Sequence, residues 1–240
     1  MSNRYIDLTL DVVSADSWIQ FPRKLVKGSG EPPTKIETQS TVEENGVFVQ
    51  SISTTNQCFT HMDAPAHFIR GGKTIDEVPL DQLIGEAVVI DMMHKQPGEG
   101  VSASDLENSG ADVREGDIVV IRTGWTDKAF GTREFWEKMI HLEKDAGKWL
   151  ASKNIKALVQ DFMTDTAPLK TCECCNSLLP SDDEWCPTHY ELLGRGTILI
   201  EWCTNLAAIT KPRVTIVALP LKIKGGDGSQ ARVIAIEEED

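Results

Sequence analysis

Basic residues are scarce in this chain, which carries 24 Lys and Arg against 37 Asp and Glu and has a formal net charge of −13. A surface of that charge repels phosphate groups, which argues against duplex nucleic acid or an anionic membrane as a partner. No uninterrupted apolar run approaches the roughly 20 residues that a membrane-spanning helix requires. The amino terminus, MSNRYIDLTL, lacks the basic start and apolar core of a signal peptide. We therefore expect a cytoplasmic protein.

Several common catalytic signatures are also missing. The sequence contains no G-x-G-x-x-G, P-loop or G-x-S-x-G pattern, so dinucleotide-binding, phosphate-loop and serine-hydrolase functions have no support. The chain has six cysteines in 240 residues. In the expected compartment these are more typical of reduced thiols or metal ligands than of a disulfide framework.

Strand-like segments dominate the chain. Runs rich in β-branched residues predict strands at 5–13, 47–55, 87–92, 117–125, 156–162, 197–202, 213–221 and 231–236. Helices are predicted at 102–110, at 132–154 with a break near Gly147 or earlier, and at 187–196. Strands outnumber helices and alternate with them only in the second half. The pattern therefore favours a single mixed α/β or α+β domain over residues 1–240, rather than a doubly wound nucleotide-binding fold.

Three ligand-type side chains lie close together in the segment NQCFTHMDAPAHF at 56–68. His61 and Asp63 are two residues apart, so an extended backbone would point both side chains to one face. Pro65 disfavours a helix here, and a turn after it could bring His67 back over the same site. Imidazole and carboxylate groups suit Zn²⁺ or Mn²⁺, and a carboxylate can bridge two ions. The competing interpretation, a polar surface loop, is disfavoured by this density of ligand-type residues.

A second pair of candidates lies in the last quarter of the chain. His189 is in the predicted helix at 187–196, and Glu201 interrupts the apolar strand TILIEW. Burial of this carboxylate without a partner would be costly. Glu201 is therefore either an outward-facing residue at the end of a strand or a neighbour of a cation, and the residues alone leave both interpretations open.

These segments together resemble a known family. The stretch THMDAPAHFIRGGKTIDEVPLDQLIGEAVVIDM is similar to the cyclase family of metal-dependent hydrolases, which includes bacterial kynurenine formamidases and isatin hydrolases. The family pattern is H-x-G-T-H-x-D-x-P-x-H followed by a Gly-Gly-Lys turn. The similarity continues in order through DIVVIRTGW, HLEKDAGKWLASKNIKALVQDF, the H-x-x-L-L segment that begins at His189, and ALPLKIKGGDGSQARVIAI. It spans the chain from about Tyr5 to Ile236.

The resemblance implies a fold, an assembly and a set of site residues. It implies an α/β fold of the swivelling β/β/α type with a mixed sheet, assembled as a homo-oligomer (dimer or tetramer). It implies that one or two divalent ions per subunit, Zn²⁺ or Mn²⁺, are held by His61, Asp63, His189 and Glu201. It also implies a proton-transfer role for His67.

The chain departs from the family pattern at two positions. Gln57 stands where the family has its first histidine, and Phe59 stands where it has glycine. The amide oxygen of Gln57 can still ligate a metal, but as a weaker donor than imidazole. Either the first ion is held less tightly, or the site works with one ion. The Gln-x-x-x-His-x-Asp arrangement is similar to that of zinc-dependent trans-dienelactone hydrolases.

The leading functional hypothesis is hydrolysis of a small molecule. A metal-activated water would attack an amide, lactam or lactone carbonyl, and His67 would transfer the proton. Trp18, Phe21 and Phe59 would provide apolar walls for a flat or ring-shaped substrate, although core packing explains Trp18 and Phe21 equally well. One alternative is an arylformamidase that acts on N-formylkynurenine. Another is a non-catalytic relative that binds a metal or small molecule, which Gln57 favours and His67 opposes.

A cysteine cluster offers a competing use for His189. Cys172, Cys174, Cys175 and Cys186 precede it, and Cys172-x-x-Cys175 with Cys186-x-x-His189 has the spacing of a structural zinc knuckle. A zinc site that uses the four cysteines without His189 is a second possibility. The simplest interpretation is a set of reduced thiols bordering the active site.

Overall fold

The structure is a computed structural model and describes residues 2–14, 34–165 and 186–239. The strands are β1 Asn3–Asp7, β2 Lys35–Ser40, β3 Val49–Ser53, β4 His61–Asp63, β5 Ile84–Asp91, β6 Gly100–Val101, β7 Ile118–Arg122, β8 His141–Leu142, β9 Ala157–Gln160, β10 Ile198–Glu201, β11 Arg213–Pro220 and β12 Gly228–Glu238. The helices are α1 Val42–Asn45, α2 Leu80–Leu83, α3 Ala103–Asn108, α4 Trp125–Ala129, α5 Arg133–Glu137, α6 Lys144–Ser152 and α7 Pro187–Gly194.

A mixed sheet organises the described part of the chain. Its strand order is β1-β12-β11-β5-β7-β9-β10-β4. The strands β5, β7, β9 and β10 run parallel to one another, while β11, β12, β1 and β4 join antiparallel. The short strand β4 pairs with both β10 and β12, so the sheet closes on itself. The α/β fold with a mixed sheet that the sequence predicted is confirmed.

Apolar layers cover both faces of the central strands. In β7, Ile118 and Val120 pack into one buried cluster, and Val119 and Ile121 pack into the other. A strand that is buried on both faces needs an uninterrupted apolar sequence, which explains the run IVVI. The cluster that contains Val119 and Ile121 also contains Leu150 of α6, so a helix packs on that face of the sheet. Within the described ranges, no helix combines the length and hydropathy needed to cross a bilayer.

Two predicted elements have different limits in the structure. The strand predicted at 117–125 ends at Arg122, because Gly124 adopts a φ of 74° and caps the start of α4. The helix predicted at 132–154 is two helices, α5 and α6, separated by β8, so its break falls before Gly147. That glycine packs α6 against α7: a Cβ there would lie 2.9 Å from the Thr188 side chain.

Candidate metal centre

Strand pairing brings two distant parts of the chain together. β4 pairs antiparallel with β10, and the register places His61 opposite Glu201. Side chains two residues apart on a strand share a face, so His61 and Asp63 point to the same side, while Met62 between them packs into the core. Helix α7, just before β10 in the sequence, contributes His189 to the same place.

Four side chains converge there and are called the central cluster below: His61, Asp63, His189 and Glu201. The Nε2 atom of His61 lies 3.7 Å from Asp63 Oδ1 and 3.5 Å from Glu201 Oε2. The Nε2 atom of His189 lies 3.7 Å from Asp63 Oδ2 and 3.9 Å from Glu201 Oε1. Two ligand atoms bound at about 2.0–2.1 Å to one tetrahedral Zn²⁺ are roughly 3.4 Å apart. The observed separations are close to that value.

The surroundings of the Asp63 carboxylate indicate which kind of ligand fits the central cluster. Both of its oxygens are buried, and no residue in the described ranges donates a hydrogen bond to either of them. A buried carboxylate without a partner carries a large desolvation cost. Imidazole nitrogens and carboxylate oxygens are the donors that Zn²⁺ and Mn²⁺ accept. The residues present therefore fit a divalent cation.

The electrostatics of the central cluster favour positive charge. Burial opposes protonation of His61, but the carboxylates of Glu201 and Asp63 outweigh it and raise the pKa of His61 above 6.5. Burial opposes protonation of His189 too, yet Asp165 and Glu201 raise its pKa well above that value. Burial acts to raise the pKa of Glu201, but His61 and His189 bring it down to about 2. The same carboxylates would therefore favour the binding of a divalent cation among these side chains.

The backbone is strained beside two members of the central cluster. Phe59 and Trp202 adopt left-handed conformations with φ of 57° and 55°, which bulky residues rarely adopt. The Phe59 carbonyl accepts a hydrogen bond from Nδ1 of His61 at 2.8 Å, and the Trp202 ring meets the same imidazole edge-on. These contacts direct Nε2 of His61 into the cluster. Strain of about 1–3 kcal/mol at such residues is typical of functional sites.

His67 lies beside the central cluster at the end of the 3₁₀ turn Pro65–His67. Its Nδ1 donates to Asp227 Oδ2 at 3.1 Å. The amide nitrogen of Gln57 donates to the same oxygen at 3.0 Å. The hydrogen bond from His67 is the main reason that the pKa of Asp227 lies well below its usual range. With Nδ1 committed to Asp227, Nε2 of His67 is the nitrogen that can accept a proton.

The two unusual motif residues have defined contacts. Gln57 is hydrogen bonded to Asp227, as described above. The Phe59 side chain is only 1% exposed and lies 6.2 Å from the ring of Phe130. The roles predicted for them, a metal ligand for Gln57 and a substrate wall for Phe59, stay predictions. Trp18 and Phe21, the other predicted substrate contacts, lie outside the described residues.

The cysteine hypotheses are constrained through His189. Cys172, Cys174 and Cys175 lie outside the described residues, whereas Cys186 is buried in contact with His189. The Nδ1 atom of that histidine donates to Asp165 at 2.6 Å, and Nε2 faces the central cluster. This geometry leaves His189 no nitrogen for a zinc knuckle.

Four polar residues near the central cluster were missed by the sequence analysis: Gln160, Thr164, Asp165 and Asp227. Thr164 and Asp165 end the segment DFMTD, directly after the buried strand β9. Polar residues at the carboxyl ends of parallel strands commonly line sites in α/β folds, and that position was a usable signal. Asp227 lies in the turn GGDG between β11 and β12, where a lone carboxylate in a glycine-rich turn gave a weaker one.

The chain is similar to a known family and to known proteins. Residues 6–165 match the model of the family described as "Putative cyclase". A kynurenine formamidase from Bacillus cereus is 27% identical over 227 residues, which cover 92% of this chain and 98% of the relative.

Solved structures of similar fold were also found. Isatin hydrolase A from Ralstonia solanacearum has 25% sequence identity and a TM-score of 0.80, with coverage of 98% of this chain and 92% of that one. A structure described as a potential metal-dependent hydrolase with cyclase activity has 25% identity and a TM-score of 0.71, with coverage of 100% of both chains. The similarity thus extends over nearly the whole sequence.

Proposed function

The chain belongs to the cyclase family, and from this premise we propose that it hydrolyses the amide bond of an aryl or cyclic small molecule with a metal-activated water. The names of its relatives, a kynurenine formamidase and an isatin hydrolase, support this class. Formyl-aryl amides and isatin both carry an amide nitrogen on an aromatic ring. A lactone, which offers the same carbonyl with an oxygen leaving group, is the neighbouring substrate class.

The observation that carries this proposal is the geometry of the central cluster. Two imidazole nitrogens and two carboxylates lie 3.5–3.9 Å apart, and Asp63 has no other partner among the described residues. We propose that they hold one divalent ion, Zn²⁺ or Mn²⁺. The side-chain amide of Gln57 donates a hydrogen bond to Asp227. Gln57 therefore belongs with the proton-transfer group, which consists of His67 and Asp227.

The residues around the central cluster divide the chemistry between them. A divalent ion bound there supplies Lewis-acid polarisation of the carbonyl and a more acidic water. His67 accepts the proton of the attacking water on Nε2 and passes it to the leaving nitrogen. Asp227 keeps the Nδ1 proton of His67 in place and stabilises the imidazolium that forms, because the pKa of its carboxyl lies well below the usual range. No serine or cysteine nucleophile is needed.

Chelation tests the proposed class directly. We expect the metal-loaded protein to hydrolyse an aryl formamide or isatin, to lose that activity on full chelation, and to regain it when Zn²⁺ or Mn²⁺ is restored. Faster hydrolysis of the aryl formamide than of isatin would favour the arylformamidase alternative. An unsaturated lactone is the third substrate to be tested. Activity that persists after complete chelation would contradict the mechanism. Failure to hydrolyse any of the three substrates would favour a non-catalytic binding protein.

Two variants separate the proposed roles. Asp63→Asn should empty the site, because it removes a charge that two imidazoles share, so elemental analysis should find little metal. His67→Ala should retain the metal and lose turnover by about 10²–10⁴-fold, the usual contribution of a general base. Equal loss of metal in the His67 variant would show that its role is misassigned.

We also propose that the enzyme is a homo-oligomer, as the resemblance implies. Large apolar side chains on the β2–β3 hairpin support an association with a second copy: Phe48 is 58% exposed and Ile52 is 61% exposed. Exposed apolar patches commonly mark protein–protein contacts. Light scattering should give the mass of two or four chains, and the mass of one chain would contradict this proposal.

A further inference from the structure

The segment 161–165, with sequence DFMTD, lies beside the central cluster. It follows β9 directly and is anchored at its start, where the Asp161 carboxylate accepts hydrogen bonds from the backbone of Thr123 and Gly124 at 2.8 and 2.6 Å. Its last two residues, Thr164 and Asp165, are buried and polar. Each of them contacts a different member of the central cluster.

Asp165 fixes the ring of His189. Its Oδ2 accepts the hydrogen of His189 Nδ1 at 2.6 Å and the backbone N–H of the same residue at 3.0 Å. Its Oδ1 accepts the backbone N–H of Thr188 at 3.1 Å. Because both N–H groups belong to the first turn of α7, the carboxylate also stabilises the start of that helix. A proton held on Nδ1 leaves the lone pair on Nε2, which faces Asp63.

Thr164 fixes the carboxylate of Glu201. Its backbone N–H donates to Glu201 Oε1 at 3.0 Å, and its hydroxyl donates to the same oxygen. The Nε2 atom of Gln160 adds a third donor at 3.1 Å. With three donors on Oε1, the other oxygen, Oε2, is turned toward Nε2 of His61 at 3.5 Å.

The alternative role for Asp165 is that of a ligand itself. Asp165, Cys186 and His189 offer three buried ligand atoms within 4.8 Å of one another. However, 2.6 Å between Asp165 Oδ2 and His189 Nδ1 is shorter than the roughly 3.4 Å between two ligand atoms on one Zn²⁺. The carboxylate oxygens are also occupied by two backbone N–H groups. The contact is a hydrogen bond and leaves no room for an ion.

We propose that Asp165 and Thr164 are positioning residues, which orient His189 and Glu201 so that Nε2 of the histidine and Oε2 of the carboxylate are directed at the divalent ion. One short segment thus aligns both ligands that the last quarter of the chain supplies. This inference rests on the metal site of the proposed function. Loss of a residue that orients a metal ligand typically weakens metal binding about 10–100-fold.

The test measures Zn²⁺ affinity by competition with a chromophoric chelator, on the full-length protein stripped of metal and without any substrate. We expect Asp165→Asn and Thr164→Val to bind Zn²⁺ about 10–100-fold more weakly at unchanged stoichiometry. Thr164→Ser, which keeps the hydroxyl, should stay within about threefold of the wild type. Circular dichroism checks that each variant is folded, and if Asp165→Asn is not, the pair of Thr164 variants decides.

Two controls make the result specific. Thr126→Val removes a buried hydroxyl that donates to the Asp161 carbonyl at 2.6 Å, in contact with the same segment but away from the ligands. Cys186→Ala removes the thiol beside His189. Thr126→Val should bind Zn²⁺ as the wild type does, and Cys186→Ala should keep the wild-type Zn²⁺ stoichiometry.

The outcomes separate this inference from the proposed function. Wild-type affinity in Asp165→Asn and Thr164→Val would overturn the inference and leave the metal site standing. A loss of stoichiometry shared by Asp165→Asn and Cys186→Ala would overturn it by making Asp165 a ligand. A wild-type protein that binds no divalent ion would contradict the proposed function itself.

Discussion

Each histidine of the central cluster has one nitrogen held by the protein and the other directed inward. His61 donates Nδ1 to the Phe59 carbonyl, and His189 donates Nδ1 to Asp165. Asp63 differs, because neither of its oxygens has a donor among the described residues. Such a division, with fixed outer atoms and free inner atoms, is what a protein needs to present preorganised ligands to a cation.

The backbone conformation of Phe59 explains why the family pattern has glycine at this position. The family pattern places glycine there, and the structure gives this residue a φ of 57°. Glycine adopts that conformation without steric cost, whereas Phe is strained in it. The sequence could identify the departure but not the backbone strain that follows from it, because a backbone angle is visible only in the structure.

Asp227→Asn tests the proton-transfer group. The variant keeps the shape of the side chain but removes the negative charge that His67 Nδ1 contacts at 3.1 Å. We expect kcat to fall by about 10–100-fold, less than for His67→Ala, with metal content unchanged. Lys224→Gln, an exposed change in the same turn, is the control. Wild-type kcat in Asp227→Asn would contradict the role of this carboxylate.

Elements, more than single residues, assemble the site. β4 has only three residues, yet it pairs with β10 on one side and β12 on the other, and this double pairing brings His61 and Asp63 to Glu201. The strands β5, β7, β9 and β11 were predictable, because long β-branched runs give a strong signal. β4 was not predicted as a strand, because a segment of three residues is too short to show a periodicity. It forms a strand only because it pairs with β10 and β12 in the folded chain.

Gly72→Ala tests how the turn that carries His67 is supported. A Cβ at this position would lie 2.8 Å from the carbonyl carbon of Pro65 and 2.9 Å from the nitrogen of Ala66. Because backbone atoms cannot move aside cheaply, the turn should shift and stability should fall by about 1–3 kcal/mol. We expect kcat to fall as well, with metal retained.

Gly71→Ala is the matched control for that turn. Gly71 has a φ of 74°, and a Cβ added there would meet no atom within 4 Å, so alanine should cost about 1 kcal/mol through backbone strain alone. Its kcat should equal that of the wild type. Equal kcat values in the two variants, measured alongside urea unfolding, would contradict the contact argument.

Asp105→Asn tests an electrostatic cap at the start of α3. Burial acts to raise the pKa of Asp105, but hydrogen bonds from Lys95 and Ser102 outweigh it and lower the pKa from 3.8 to about 2. Because the folded value is the lower one, the carboxylate stabilises the fold above pH 3.8 and loses this effect as the pH falls through about 2. After discounting for its partial exposure, the contribution is about 1–2 kcal/mol.

Urea unfolding at two pH values checks that sign. The variant should be about 1–2 kcal/mol less stable than the wild type near neutral pH, and the difference should shrink toward about pH 2. Asp112→Asn, at an exposed carboxylate whose side chain is 70% accessible, should change little. A stability difference independent of pH would contradict the assignment.

In the molecule as a whole, the fold class and the four side chains that converge in the central cluster were predictable from sequence, but the residues that support those side chains were not. Order and spacing along the chain, from His61 to Glu201, sufficed for the resemblance to the family. The contacts of Asp165, Thr164 and Asp227 were not predictable, because they depend on which loops meet in the closed sheet. Their sequence positions, after a strand or in a turn, indicate a site but not the side chains that they contact there.

We propose that residues from the first third and the last quarter of the chain surround one divalent ion. The most direct measurement is a crystal structure of the Zn²⁺-loaded enzyme with anomalous diffraction recorded on both sides of the zinc absorption edge. We expect a single peak within about 2.0–2.2 Å of His61 Nε2, His189 Nε2 and carboxylate oxygens of Asp63 and Glu201. A peak between Asp165 and Cys186 instead, or none at the central cluster in metal-loaded crystals, would contradict it.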